Sequence, residues 1–462
     1  MKRYILALLL MPLLAACDSQ LDITPKGKVT LGKVAELELL LNQEYNLEVL
    51  PALDLGVLAG ESLGMFNQVS TVLAQTNTVR YALMAFDEQV DRATLTTTDD
   101  RYAALYKYIN YMNTIVEKMP QAEGDAAAKP RLVAEARVMR AYLHWLVACI
   151  HAPQYDPATA ATDGGIAYVT ATDVLQQKQK LNLEDTYRMI LEDVTDDIIA
   201  DLPQDHGTNV MRGDRAWGYA VRAVVLTQMK RYAEALPYAL EAIRLRPQLF
   251  DRATVKTTGQ WTQDRSSENN ILYIGAGIRV CPTSEMLTLE TNDLFEPGDY
   301  VRTYDKPDGW SLSYGESYSG ISGVLMYMGW GAQGNPYGLT AELLHYVAAE
   351  CLIRTGKTAE GLELVDRIRQ LRVENAAPLA AASEAEAMAL LQRAKWIECL
   401  GTAFNFIDVK RWNSESAYAR TVSHRLGTQG TFRLSPTSPL WIFPFPRNAV
   451  RYNPSLTQNY QQ

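Results

Sequence analysis

Residues 216–249 constrain the fold more than any other stretch, because their small and large residues fall where two antiparallel helices must meet. Small residues stand at Ala223, Ala235 and Ala242, large ones at Leu226 and Tyr232, and Pro247 closes the unit. Alanines let two helix axes approach closely, and the large side chains fill the space beside them. Pro237 falls inside the second helix, where it removes one backbone hydrogen bond and is expected to bend it.

This order over roughly 34 residues is the tetratricopeptide spacing. Such a hairpin cannot bury its apolar side alone, so further helical pairs must stack on it. A weaker copy of the spacing follows at 339–372, carried by Ala349, Gly361 and Val365, with Gly356-Lys357-Thr358 as the stop between two helices. Helical periodicity also marks 31–50, 101–119, 133–150, 183–202 and 383–400. In 133–150, Met139, Tyr142, Leu143, Leu146, Val147 and Ile150 form one stripe, and Arg137, Arg140 and His144 take the opposite face. His144 reads as solvated or singly bonded rather than as a ligand. In 183–202 the apolar face is Tyr187, Ile190, Leu191, Val194 and Ile198, with Glu192, Asp193, Asp196 and Asp197 outward as a solvated face.

Two regions break the pattern. Residues 51–98 read as loop-rich, and 251–338 are rich in Gly, Ser, Thr and aromatics, with no element expected over Ser311 to Gly334. Long irregular segments on a rigid helical frame are where binding residues concentrate.

The N-terminus describes export. Lys2 and Arg3 precede the apolar run Ile5 to Leu14, and Leu14-Ala15-Ala16-Cys17 follows. The run is too short for a membrane span. Leu-Ala-Ala-Cys is also a bacterial lipobox, which makes residues 1–16 a lipoprotein signal peptide, Cys17 the acylated residue and 17–30 a tether. Without Lys2 and Arg3 the chain carries 42 basic against 53 acidic residues and no basic stripe, which argues against nucleic acid. Cys149, Cys281, Cys351 and Cys399 form no CxxC and read as small buried thiols.

No catalytic motif appears. The five histidines contain no HExxH, there is no GxSxG, and Gly356-Lys357-Thr358 lacks the first glycine of a phosphate loop, with Cys351 in its place. A carboxylate pair for sugar hydrolysis depends on spatial separation, and no residue spacing nominates one.

These pieces together resemble the SusD/RagB family of Bacteroidetes outer-membrane nutrient-binding lipoproteins. Leu21-Asp22-Ile23-Thr24-Pro25 resembles the family's start after the lipobox. Leu105-Tyr106, Ile109 and Asn113 match its first core helix, Ala134-Glu135-Ala136 with Arg140-Ala141-Tyr142 the next, and Gly164-Gly165-Ile166 the segment beyond. Glu342 and Glu350 with Arg367, Ile368, Arg369 and Arg372 fit the late helical pair. Asp408-Val409-Lys410-Arg411-Trp412 resembles the Asp-Leu-x-Arg-Trp signature, with Glu398 ten residues earlier; Thr402, Ala403 and Asn405 depart from the usual Glu, Gly and Arg. The tail Phe443-Pro444-Phe445-Pro446, then Asn453 to Asn459, is the most specific match. Asp408, Arg411 and Glu398 are read as buried ion pairs, and Trp217, Trp396 and Trp412 as core.

The resemblance implies a mostly α, SusD-like fold over 31–462: stacked tetratricopeptide-type hairpins with little β, divided at about 250 into a helical part and a loop-rich C-terminal part. It implies no catalysis and no cofactor or metal. The protein would capture oligosaccharides at the outer membrane, facing the cell exterior, and deliver them to a SusC-like TonB-dependent transporter. Peptide binding, a lipid-anchored glycan hydrolase and a pure assembly scaffold are the alternatives. Ligand candidates are the aromatics of the irregular segments, Phe66, Tyr81, Trp261, Trp310, Tyr314, Tyr318 and Trp330, with Asn67 and Asp308 as polar partners.

Overall fold

The hairpin expected at 216–249 forms as two helices, Arg215–Gln228 and Tyr232–Leu245, joined by a turn in which Lys230 takes a positive φ of 60°. It was traced in a computed structural model that describes residues 31–47, 53–64, 68–173, 175–207, 209–258, 265–275, 285–304, 310–327 and 334–460. Cys17, Cys281, the leader and the tether lie outside the described residues.

Ten helices of eight or more residues occur among the described residues: α1 (Asp100–Lys118), α2 (Lys129–His151), α3 (Leu183–Glu192), α4 (Arg215–Gln228), α5 (Tyr232–Leu245), α6 (Leu312–Ser319), α7 (Ala341–Arg354), α8 (Thr358–Arg369), α9 (Glu384–Glu398) and α10 (Phe404–Asn413). Strands are short: β1 (Gly164–Ala167), β2 (Lys180–Asn182), β3 (Asn270–Leu272), β4 (Met286–Leu287), β5 (Trp310–Ser311), β6 (Leu325–Tyr327), β7 (Leu339–Thr340), β8 (Val422–Arg425) and β9 (Thr431–Leu434). They pair antiparallel as β1–β2, β3–β7, β8–β9 and the three-stranded order β4-β6-β5. This is the mostly α architecture the sequence implies.

The hairpins stack as their small residues require. Ala223, Ala235 and Ala242 are fully buried between α4 and α5, and the Asp214 carboxylate caps α4 by accepting from Trp217 N at 3.0 Å. The α5 helix runs through Pro237 without interruption. It packs on α7, which pairs with α8. At Gly361 a Cβ would stand 2.7 Å from the Ala349 carbonyl oxygen, so only glycine permits this approach. Gly356, at φ 85°, ends α7 as expected.

Two ion clusters lie inside the helical frame. Arg411 donates to Glu350 at 2.6 and 2.7 Å and to Asp408 at 3.0 Å, Lys395 meets Asp408 at 2.6 Å, and the Trp412 indole donates to Glu350 at 3.1 Å. Arg411 holds the Glu350 carboxyl down at about 2, against the opposing effect of burial. Glu398 belongs to a second cluster, with Arg372 at 2.7 Å and Arg252 at 3.2 Å, while Arg372 also reaches Glu342 at 3.1 Å. Buried pairs of this kind contribute little net stability over apolar packing, yet losing one partner is costly. Lys410 works differently: its Nζ donates to the Cys149 and Ala152 carbonyls at 2.7 Å each, closing the end of α2. Burial pulls this ammonium down to about 7. Trp217, Trp396 and Trp412 are core residues, and Cys149, Cys351 and Cys399 are buried free thiols.

The proline-rich tail lies against α2. Phe443 N donates to Ile150 O at 3.0 Å, and the Asn459 amide bridges His151 O and Gly165 O at 2.8 Å each.

Four expectations need correction. The periodic stretch 31–50 is helical only over Val34–Glu38 before it turns at 39–43. Residues 51–98 hold four short helices, Leu53–Ala59, Val69–Ala74, Val79–Ala85 and Arg92–Leu95. The 183–202 helix breaks after Glu192 and resumes as Asp196–Asp201, because Asp193 turns inward. Its carboxylate is buried and accepts from Arg140 Nε at 2.6 Å, Arg137 Nε at 2.9 Å and the Tyr168 hydroxyl at 2.6 Å. His144 is buried as well and bonded at both nitrogens: Nδ1 faces Arg140 O at 2.9 Å, and Nε2 accepts from Val169 N at 3.0 Å. Burial lowers its pKa to about 3, so the ring is neutral.

Candidate functional site

The irregular middle of the chain is more ordered than its composition implies. Leu63 N donates to Met286 O at 2.7 Å and Met286 N to Gly64 O at 3.2 Å, so residues 62–64 extend the small sheet beyond β4. At its far edge β5 turns directly into α6, a correction to the expected absence of structure over Ser311 to Gly334. The local reason is a cap at each end. Ser311 Oγ accepts from Tyr314 N at 3.2 Å, and Gly320 closes the helix at φ 75°. Glu316 fastens the next turn by accepting from Gly323 N at 2.9 Å and Ser322 Oγ at 3.2 Å. Gly315 lies directly on the Val324 backbone, where a Cβ would not fit.

On this helix Tyr314 and Tyr318 stand one turn apart with near-parallel rings, 6.2 Å between centroids and 15° between planes. Tyr314 is 49% exposed and Leu312 50%. The Gln68 amide donates to Ser317 O at 2.7 Å and ties α6 to the segment that follows residues 65–67. The β8–β9 hairpin flanks this face through Gly427 beside Ile321.

The predicted ligand residues divide accordingly. Tyr314 and Tyr318 come together on α6, and Trp310 lies on the β5 backbone immediately before it. Tyr81 sits in the helix Val79–Ala85, half-buried, with its hydroxyl bonded to Asp87, rather than in a loop. Phe66, Asn67, Trp261, Asp308 and Trp330 lie outside the described residues. Gln68 and Leu312 were not singled out by sequence. The Ser311 cap and the glycine stop at Gly320 were the available signals for α6.

Sequence reasoning missed two buried carboxylates, Glu61 and Glu285, which lie beside Gly56. Glu61 accepts from Gly401 N at 2.5 Å and Asn405 Nδ2 at 2.7 Å. Burial and the neighbouring Glu285 push it up to about 8; burial first, with Asp54 adding to it, raises Glu285 to about 7. Both are buried, so substrate cannot reach them as an acid–base pair.

One group of metal-ligand type occurs among the described residues, Asp205, His206 and Asp214. Its centre is taken by Arg246, whose guanidinium donates to Asp205 at 3.0 Å and Asp214 at 2.5 Å and meets His206 Nε2 at 3.1 Å. His151, His345 and His424, like His144, are buried with ring nitrogens on backbone carbonyls.

Residues 37–221 match the SusD-like family model described as starch-binding associating with outer membrane. Among solved structures, a putative sugar binding protein from Bacteroides vulgatus superposes with a TM-score of 0.70 at 14% identity, covering 94% of this chain and 99% of its own. A SusD superfamily protein from Bacteroides thetaiotaomicron gives 0.68 at 15%, covering 93% and 100%. A SusD-like protein from Bacteroides fragilis gives 0.68 at 16%, covering 93% and 97%. No curated protein matches the sequence. The fold is thus SusD-like over nearly the whole chain, with the sequence match confined to residues 37–221.

Proposed function

We propose that this protein captures oligosaccharides at the cell surface and passes them, uncleaved, to a SusC-like TonB-dependent transporter in the outer membrane. In this reading residues 1–16 are removed, Cys17 carries the lipid, 17–30 form the connection and 31–462 bind the nutrient. The observation that carries it is the near-parallel Tyr314–Tyr318 pair, in which Tyr314 is half open to solvent, on a helix capped at both ends and bonded to the rest of the fold. Aromatic faces of this kind stack on the apolar faces of sugar rings, while neighbouring amides and carboxylates bond the hydroxyls. The absence of cleavage is supported by the buried state of Glu61 and Glu285 and by the backbone-bonded histidines.

Isothermal titration of the purified chain against a panel of glycans and peptides tests the reading. A saturable glycan signal that falls roughly ten- to a hundredfold in Tyr314→Ala/Tyr318→Ala is expected, from about 1–3 kcal/mol of lost ring contact. Saturable binding of peptides alone, or release of shorter sugars by the wild-type chain, would overturn it.

A further inference from the structure

Arg420 lies between the turn that follows α10 and the start of β8, and its guanidinium rests over the Trp396 indole, 4.3 Å from the ring centroid. The platform is fixed. Trp396 is buried, and its Nε1 donates to Thr291 Oγ1 at 3.1 Å. The Arg420 backbone is fixed as well, its N donating to Asn413 Oδ1 at 3.0 Å. Yet the guanidinium, half-buried, makes no ion pair and donates no side-chain hydrogen bond among the described residues.

The carboxylates of the adjoining segments are already taken. Arg354 holds Glu415 at 2.5 Å and Glu384 at 3.1 Å, and Arg425 holds Glu290 at 3.1 Å and Asp293 at 2.6 Å. Lys395 and Arg411 share Asp408. In a chain of 53 acidic against 44 basic residues, an arginine left with an aromatic face alone stands apart from these neighbours. Burial draws its pKa down to about 10, and no nearby acid raises it again. Stacking holds the guanidinium in one plane and leaves the N–H groups of its edge for an acceptor. Such a planar fork matches the paired oxygens of a carboxylate or a sulfate.

We infer that Arg420, on its Trp396 platform, receives an oxyanion carried by the captured nutrient, either a uronate carboxylate or a sulfate ester. The inference rests on the reading of the protein as one that captures a nutrient, and it adds the charge class of what is captured. The position suits that use. β8 begins two residues after Arg420, and the β8–β9 hairpin brings Gly427 beside Ile321, next to the glycine stop of α6. Seven residues of extended chain cover at most about 23 Å, so a glycan laid along the hairpin would reach both Arg420 and the helix of Tyr314 and Tyr318. With one face already covered by the indole, the guanidinium gives up less water to an anion than a fully exposed arginine does.

The test uses the chain from residue 17 onward, carrying Cys17→Ser. Titration calorimetry compares hexasaccharides of three kinds: maltohexaose, hexagalacturonate and a chondroitin sulfate hexasaccharide. At least one acidic ligand is expected to bind roughly tenfold tighter than the neutral one at low salt, an advantage that shrinks as salt rises. Which of the two does so distinguishes carboxylate from sulfate. Arg420→Gln should bring the acidic-to-neutral ratio close to one, and Arg420→Lys should keep part of it, a graded response that a merely structural role of the stacked side chain would not give. Equal affinity for acidic and neutral ligands in the parent chain, or an acidic advantage that survives Arg420→Gln, overturns the inference. Binding of peptides alone removes the glycan reading instead; the oxyanion site then stands if Asp- and Glu-rich peptides lose their advantage in Arg420→Gln, and falls if they keep it.

Discussion

The helices α6 and α7 sit less than two dozen residues apart in the chain and are built on opposite terms. All of α7 from Ala341 to Ile353 is buried, and its ionised groups meet partners: Glu342 is bonded by Arg372, and Glu350 by Arg411. In α6 only Gly315 and Ser319 are buried, and the exposed Tyr314 lies near-parallel to Tyr318, which packs partly on the core. The first helix is over-determined by its surroundings. The second is held by a serine cap, a glycine stop and one amide from Gln68. Stability is thus concentrated in the frame, and on the proposed function recognition falls to separate residues on the exposed face.

Breaking the frame should have the largest effect. Arg411→Ala leaves Glu350 and Asp408 buried without their main cation, and denaturant unfolding should show a loss of about 3–5 kcal/mol. A loss below about 1 kcal/mol would mean that the cluster is not the clamp described.

Next comes overpacking at the α7–α8 contact. Gly361→Ala places a methyl against the Ala349 carbonyl, and should cost about 1–3 kcal/mol in the same measurement.

Two sets of buried carboxylates should also respond to pH with opposite signs. Glu350 and Glu398, both held at about 2 against an ordinary 4.5, bind fewer protons folded than unfolded. Their contribution is present above pH 4.5 and is lost as the pH falls towards 2. Glu61 and Glu285, raised from 4.5 to about 8 and about 7, keep protons in the folded state that the unfolded chain releases. Their contribution is present below pH 4.5 and is lost as the pH rises through 7 to 8. Glu61→Gln should therefore flatten the alkaline side of a melting-temperature profile and leave the acid side as it was. An unchanged alkaline slope would remove the pair from the account.

The smallest effect on stability belongs to the exposed face. Tyr314→Ala should change the unfolding free energy by no more than about 0.5 kcal/mol while weakening glycan binding. Equal losses in both would erase the contrast between α6 and α7.

What could be read from sequence follows the same division. Ala223, Ala235 and Ala242 announce the α4–α5 hairpin because close helix approach demands small residues at set intervals. Gly361 does the same for α8. The break at Asp193 was hidden, since the apolar period continues through Val194 and Ile198 while the cause, Arg140, comes from another helix. The α6 helix was missed because its Ser and Gly content suggests a loop, whereas its packing on Val324 is tertiary. Glu61 and Glu285 come from distant parts of the chain, and no spacing could have paired them. Of the ligand candidates among the described residues, Tyr314 and Tyr318 are brought together as a pair, and helical i,i+4 geometry would have suggested that contact had the helix been recognised.

The tail carries a consequence for how the molecule is made. Asn459 bonds His151 and Gly165 across 308 and 294 residues, so the end of α2 and the start of β1 are joined by a segment far along the chain. Contacts of such sequence separation form late and slow the final step of folding. Asn459→Ala should therefore loosen the join between α2 and β1 while leaving the α4–α5 hairpin intact.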